Sequence, residues 1–161
     1  MNFKMNDNGE CQFEINDNGN FIRIIPLKFI FPDAEMDWDR NFIETQIEVN
    51  APPFQGKYKS SLMTVDFEKF KQELKRIYND LAGTTRFDSL ESEIDIKIKG
   101  DGIGHFKVNC TATDRSMFDG SELAFVLHFD QTHIPELIKL LEEITTTFPI
   151  SGDVFRIKNQ L

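Results

Sequence analysis

Residues 64–83, TVDFEKFKQELKRIYNDLAG, decide how the rest of the chain is read. Phe67, Phe70, Leu74, Ile77, Tyr78 and Leu81 recur at steps of three and four, the spacing that lays one apolar stripe along a helix. Thr64 stands where an N-cap is wanted, Asp66 and Glu68 place negative charge in a first turn that favours it, and Gly83 is expected to close the helix. A helix that is apolar on one side only needs a surface to cover, and its neighbours in sequence must supply that surface.

Upstream they read as strands. Residues 11–16 (CQFEIN) alternate apolar and polar, Asp17-Asn18-Gly19-Asn20 makes a turn, and residues 21–31 (FIRIIPLKFIF) resume the alternation. Asn-Gly between two such runs signals a hairpin. Pro26 implies an edge strand, a bulge or two short strands. Residues 32–41 (PDAEMDWDRN) read as a loop, residues 42–49 (FIETQIEV) as a third strand and, after Pro52-Pro53, residues 54–63 (FQGKYKSSLM) as a fourth.

Downstream, strands are expected over about 85–99 (broken near Leu90 to Ser92), 103–113 and 121–129. Gly100-Asp101-Gly102 and the stretch Asp114 to Gly120 provide the turns between them. A second helix starts around Thr132, tolerates Pro135 in its first turn, carries the stripe Ile134, Leu137, Ile138, Leu141, Ile144 and Phe148, and stops at Pro149. Residues 151–161 form a tail or add a short strand at Val154 to Ile157. Tight turns make the strands antiparallel. The expected fold is therefore α+β: a largely antiparallel sheet of about seven strands with two amphipathic helices packed on it, in the order strands, helix, strands, helix. No linker or low-complexity stretch divides the chain, so residues 1–161 are expected to form one domain with its core over about 10–150.

Composition narrows the function. Phe occurs 16 times, which predicts an aromatic-rich sheet core. The net charge of −9 argues against nucleic acid and against an anionic membrane surface, since both are bound through clustered cations. It suits a basic protein partner, and it equally suits simple solubility. Cys11 and Cys110 fit no metal or redox spacing, and reduced thiols are expected. Met1 to Asn20 shows no basic start followed by an apolar run, and no apolar run is long enough to span a bilayer, so a cytoplasmic protein is expected.

Catalytic chemistry finds little to use. His105, His128 and His133 form no zinc or Cys-His motif, and no cofactor or metal site is expected. Gly100-Asp101-Gly102-Ile103-Gly104-His105 is rich in glycine, but it joins two strands and lacks the Lys-Ser/Thr pair of a phosphate loop, so it reads as a tight turn. Asp101 with His105 is the alternative, a small polar site that a hydrolase-type enzyme could use.

Charge is uneven. The first fifty residues hold 10 acidic and 4 basic side chains, the remainder 17 and 14. Asp33, Glu35, Asp37 and Asp39 alternate with Ala34, Met36 and Trp38, with no basic residue between Lys28 and Arg40. This loop is the candidate partner-binding site, with Trp38 as an aromatic anchor and the carboxylates steering a basic partner. In the competing reading Trp38 folds into the core and the acids only solvate the loop.

The run from Ile98 to Leu141 resembles the closing half of WapI-family immunity proteins. The matching pieces are the Gly100-to-His105 turn with its following strand, then Asp130-Gln131-Thr132 and a helix opening Ile134-Pro135-Glu136-Leu137. Asp39, Asn41, Phe42 and Ile43 fall where such proteins tend to show Asp-x-Asn-Trp-Leu, with Phe42 in place of Trp, and Leu62-Met63-Thr64 fit the pattern too. The likeness spans about residues 20 to 148. It implies a cytoplasmic immunity protein that protects a bacterium from the C-terminal toxin domain of a large contact-dependent polymorphic toxin. Such domains are often nucleases and tend to be basic. The motif pieces are turns and caps with no assigned roles, so no functional residue is carried over. A regulatory binding module with an unrelated partner is the remaining alternative.

Overall fold

The computed structural model describes residues 8–116 and 118–154. Eight strands and two helices follow in the order β1 (Phe13–Asp17), β2 (Asn20–Phe29), β3 (Phe42–Ala51), β4 (Phe54–Met63), α1 (Thr64–Asp80), β5 (Ala82–Asp88), β6 (Ile94–Asp101), β7 (His105–Thr113), β8 (Glu122–Asp130) and α2 (Ile134–Thr147). The α+β class and the element order are as the sequence reading expects. Among the described residues the strands number eight and divide into two four-stranded antiparallel sheets, β1-β2-β3-β4 and β5-β6-β7-β8. The run expected over 85–99 is a hairpin, whose turn puts Ser92 at φ 55° and lets the Ser89 hydroxyl accept from the Glu93 N–H at 2.9 Å.

Local chemistry sets each element. Asn18 and Gly19 both sit at positive φ, which matches the right-handed twist of the β1–β2 hairpin. Pro26 marks a bulge: the register with β3 shifts between Pro26 and Lys28, beyond the last β1 partner at Ile24. Helix α1 ends differently from expectation. Leu81 takes the left-handed cap position at φ 55° with its N–H on the Ile77 carbonyl, and Gly83 belongs to β5. Thr64 does not cap the helix either, because its hydroxyl is engaged elsewhere. Asp130 caps the short 3-10 turn Gln131–His133 that leads into α2, accepting from the Thr132 N–H at 2.8 Å.

One core runs through both sheets and both helices. From α1 it takes Phe67, Phe70, Leu74 and Ile77, while Tyr78, at the edge of the expected stripe, is 43% exposed. Phe70 packs edge-on to Phe13 of the first sheet at 5.6 Å and against Phe87 of the second at 5.2 Å. The helix thus joins the sheets through aromatic contacts worth about 0.5–1.5 kcal/mol each beyond area burial. Two polar bonds stitch the sheets together: His128 N–H to Asp17 Oδ2 at 2.9 Å, and Tyr58 Oη to the Glu93 carbonyl at 2.6 Å. Burial raises the Tyr58 phenol, so it stays a neutral donor.

A smaller apolar cluster of Met63, Val65 and Val154 forms at the start of α1, with Trp38, Phe42 and Ile150 against it. Val154 is therefore docked at the point where a tail or strand was expected. The rest of that segment, 155–161, lies outside the described residues.

Candidate functional site

The acidic segment is a closed excursion between β2 and β3. The Ile30 N–H donates to the Phe42 carbonyl at 2.9 Å at its base, and Asp39–Asn41 wind into a single 3-10 turn. Asn41 then fastens it. Its side chain is fully buried, with its amide nitrogen donating to the carbonyls of Asp37 (2.5 Å) and Ser151 (2.8 Å). Its oxygen accepts from the Thr64 hydroxyl (2.9 Å) and the Ser151 N–H (2.7 Å). A carboxamide offers two donors and two acceptor lone pairs, and all four are used. The loop, the first residue of α1 and the C-terminal segment are thereby held in one arrangement.

The five residues expected to bind a partner separate by role. Asp33 and Glu35 are exposed. Asp37 is half-buried, ion-paired with Arg40 and set against Gly152. Asp39 is half-buried in the 3-10 turn. Trp38 turns partly inward onto Met63, Val65 and Val154, so much of its indole serves the small cluster.

The apolar groups the segment does display are Phe31, 54% exposed, and Met36, 63% exposed, on either side of Asp33 and Glu35. Sequence reasoning missed both. The strand expected over residues 21–31 includes Phe31, whereas β2 ends at Phe29, and no local signal marks that end, because a residue before proline is itself favoured in extended backbone.

The glycine-rich turn is structural, as expected. A methyl group on Gly100 would strike the Leu81 carbonyl, which also accepts from the Gly102 N–H at 2.9 Å. A methyl on Gly104 would lie 2.8 Å from Gln131 Oε1, and the Gly104 carbonyl accepts from the Gln131 N–H at 2.8 Å. Asp101 is committed to this turn, taking the Ile103 and His105 N–H groups at 2.9 and 3.1 Å. Those amides, Ile103's first, hold its carboxyl below the usual range.

His105 Nδ1 lies 3.0 Å from Asp101 Oδ2, His133 Nδ1 lies 3.4 Å from Asp130 Oδ1, and His128 Nδ1 lies 3.7 Å from Asp17 Oδ2. All three histidines, His105 from β7 and His128 and His133 from either side of the end of β8, border one open depression of about 590 Å³ that has no Ser, Thr or Cys in its lining. Among the described residues no His, Cys, Asp and Glu side chains are grouped so as to hold a metal ion. None of the helices there is long and apolar enough to cross a membrane. Burial pushes the Cys110 thiol up to about 12, and it raises Cys11 as well, so neither is poised as a nucleophile.

The WapI-like immunity protein family matches residues 12–149. No curated protein matches the chain. Among solved structures, Trypanosoma bruciei MRP1/MRP2 is similar at a TM-score of 0.49 and 12% identity over 87% of each chain. A guide-RNA-binding protein complex bound to its RNA is similar at 0.47 and 12% identity, over 86% of this chain and 92% of the other. The plant transcriptional regulator PBF-2 is similar at 0.41 and 14% identity, over 88% and 89%. At those TM-scores no functional weight rests on the structural likenesses.

Proposed function

The chain belongs to the WapI-like immunity protein family, and from that membership we propose that it neutralises one cognate toxin domain by stoichiometric binding in the cytoplasm of the cell that makes it. The toxin domain is that of a contact-dependent polymorphic toxin. It is basic, as nuclease domains tend to be, and the immunity protein masks its surface without making or breaking a bond.

The observation that carries this reading is the segment Phe31–Asp39, in which two exposed apolar side chains bracket two exposed carboxylates on a base held rigid by Asn41. Preorganisation lowers the entropic cost of binding, the apolar groups supply desolvation energy, and the carboxylates raise the encounter rate with a cationic partner. Asp37, Trp38 and Asp39 shape the same surface from its half-buried side.

The test is co-expression with the product of the adjacent gene, followed by co-purification and a protection assay in cells. A stable complex whose association slows as salt rises is expected. Absence of both complex and protection would overturn the reading. Turnover of a hydrolase substrate that His105→Ala abolishes, with folding intact, would favour the enzymatic alternative instead.

A further inference from the structure

The two sheets treat charge in opposite ways. Across the first, Glu14, Arg23, Glu48 and Lys57 stand side by side in register with alternating sign. Arg23 pairs with both glutamates at 2.6 Å, and Lys57 with Glu48 at 3.5 Å.

Across the exposed face of the second sheet, Lys99 of β6 stands directly opposite Lys107 of β7, and Lys107 directly opposite His128 of β8. Lys97, two residues along β6, faces Arg86. Asp95 takes Arg86 through a bidentate bond at 2.8 and 2.7 Å. Lys97, Lys99 and Lys107 are all exposed, and none of them forms an ion pair among the described residues. Like charges directly opposed across strands destabilise a sheet, so the arrangement costs folding energy on a protein of net charge −9.

We infer that this face is a binding surface for an acidic polypeptide segment, whose carboxylates seat on Lys97, Lys99 and Lys107. One observation favours a peptide over a nucleic acid. The cationic row is short and bounded by carboxylates at both ends, Asp88 and Asp95 on one side and Asp101 and Asp130 on the other, which would repel a continuing phosphate backbone. Lys97 and Lys99 are spaced by two residues of strand, about 7 Å, the repeat at which an extended peptide presents alternate side chains. The exposed Val126, opposite Asn109 in the neighbouring row, gives such a peptide an apolar contact beside the charges. The surface differs in sign and in place from the acidic loop, and its test does not depend on the toxin.

The probe is a hexaglutamate peptide titrated into the full chain and followed by backbone-amide NMR, in parallel with oligothymidylate and inorganic phosphate. Saturable shifts at Lys97, Lys99, Lys107 and His128 are expected with the peptide, with binding weakened roughly three- to tenfold at low salt in Lys99→Gln/Lys107→Gln. Single Lys99→Glu, which creates an attractive cross-strand pair and so folds at least as well, should weaken it too. No shift on this face, equal or tighter binding of the oligonucleotide or phosphate, or undiminished peptide binding by both variants would overturn the inference.

Discussion

The Thr64 hydroxyl donates a 2.9 Å hydrogen bond to the side-chain oxygen of Asn41, both groups being fully buried. The two residues belong to separate pieces of the pattern that resembles the immunity proteins, one ending the acidic loop and one opening α1. Replacing Asn41 with Ala strands the Thr64 hydroxyl, the Ser151 N–H and the Asp37 carbonyl at once. A loss of about 2–4 kcal/mol in urea unfolding is expected, against about 1 kcal/mol for Thr64→Val. An Asn41→Ala protein of unchanged stability would show that the knot does not hold the loop.

Gly100 tests the turn. Its missing side chain leaves room for the Leu81 carbonyl, and backbone cannot swing aside as a side chain can. Gly100→Ala should cost about 1–3 kcal/mol and lower the thermal midpoint by several degrees.

Lys99→Glu should stabilise the fold. The substitution replaces a repulsive pair with Lys107 by an attractive one, worth about 0.2–1 kcal/mol at low salt and less as salt screens it. Matched denaturation curves at two ionic strengths measure both parts.

Charge reversal at Asp33 and Glu35 should leave stability within about 0.5 kcal/mol, because both side chains are exposed. Association with the cognate toxin domain should slow roughly tenfold at low salt, with dissociation changing less. Stopped-flow mixing reads the two rates separately, and an unaltered association rate removes the loop from the encounter surface.

Acid should loosen the Gly100–His105 turn through Asp101. Its carboxyl is held below the ordinary aspartate value of 3.8 by amide donors. A depressed folded value contributes stability above the unfolded value, and that stability is lost as pH falls through the folded one. Wild type should therefore exceed Asp101→Asn in stability at neutral pH, and the gap should close below about pH 3.8. A gap independent of pH would mean that the hydrogen-bond geometry matters and the charge does not.

Much of the fold was legible because its signals are local. The stripe from Phe67 to Ile77, the Asn18-Gly19 hairpin and the proline before Glu136 need only neighbouring residues to be read. The misreadings at Thr64 and Gly83 share one cause. Both look like caps until distant residues are placed beside them: Asn41 engages Thr64, and Gly83 pairs with Gly100 across β5 and β6. The break expected near Leu90 to Ser92 is the turn that folds β6 back on β5.

By itself, then, the sequence determined the α+β class, the order of the elements, the buried faces and a loop dense in carboxylates, since helical and strand periodicities and local charge are properties of adjacent residues. Only the tertiary structure decided that Trp38 turns partly inward while Phe31 and Met36 face out, and that three histidines border one depression. It also decided that Lys99 and Lys107 confront each other on an acidic protein. Those facts depend on strand register and on which sheet receives each helix, and register is settled by packing across the whole core.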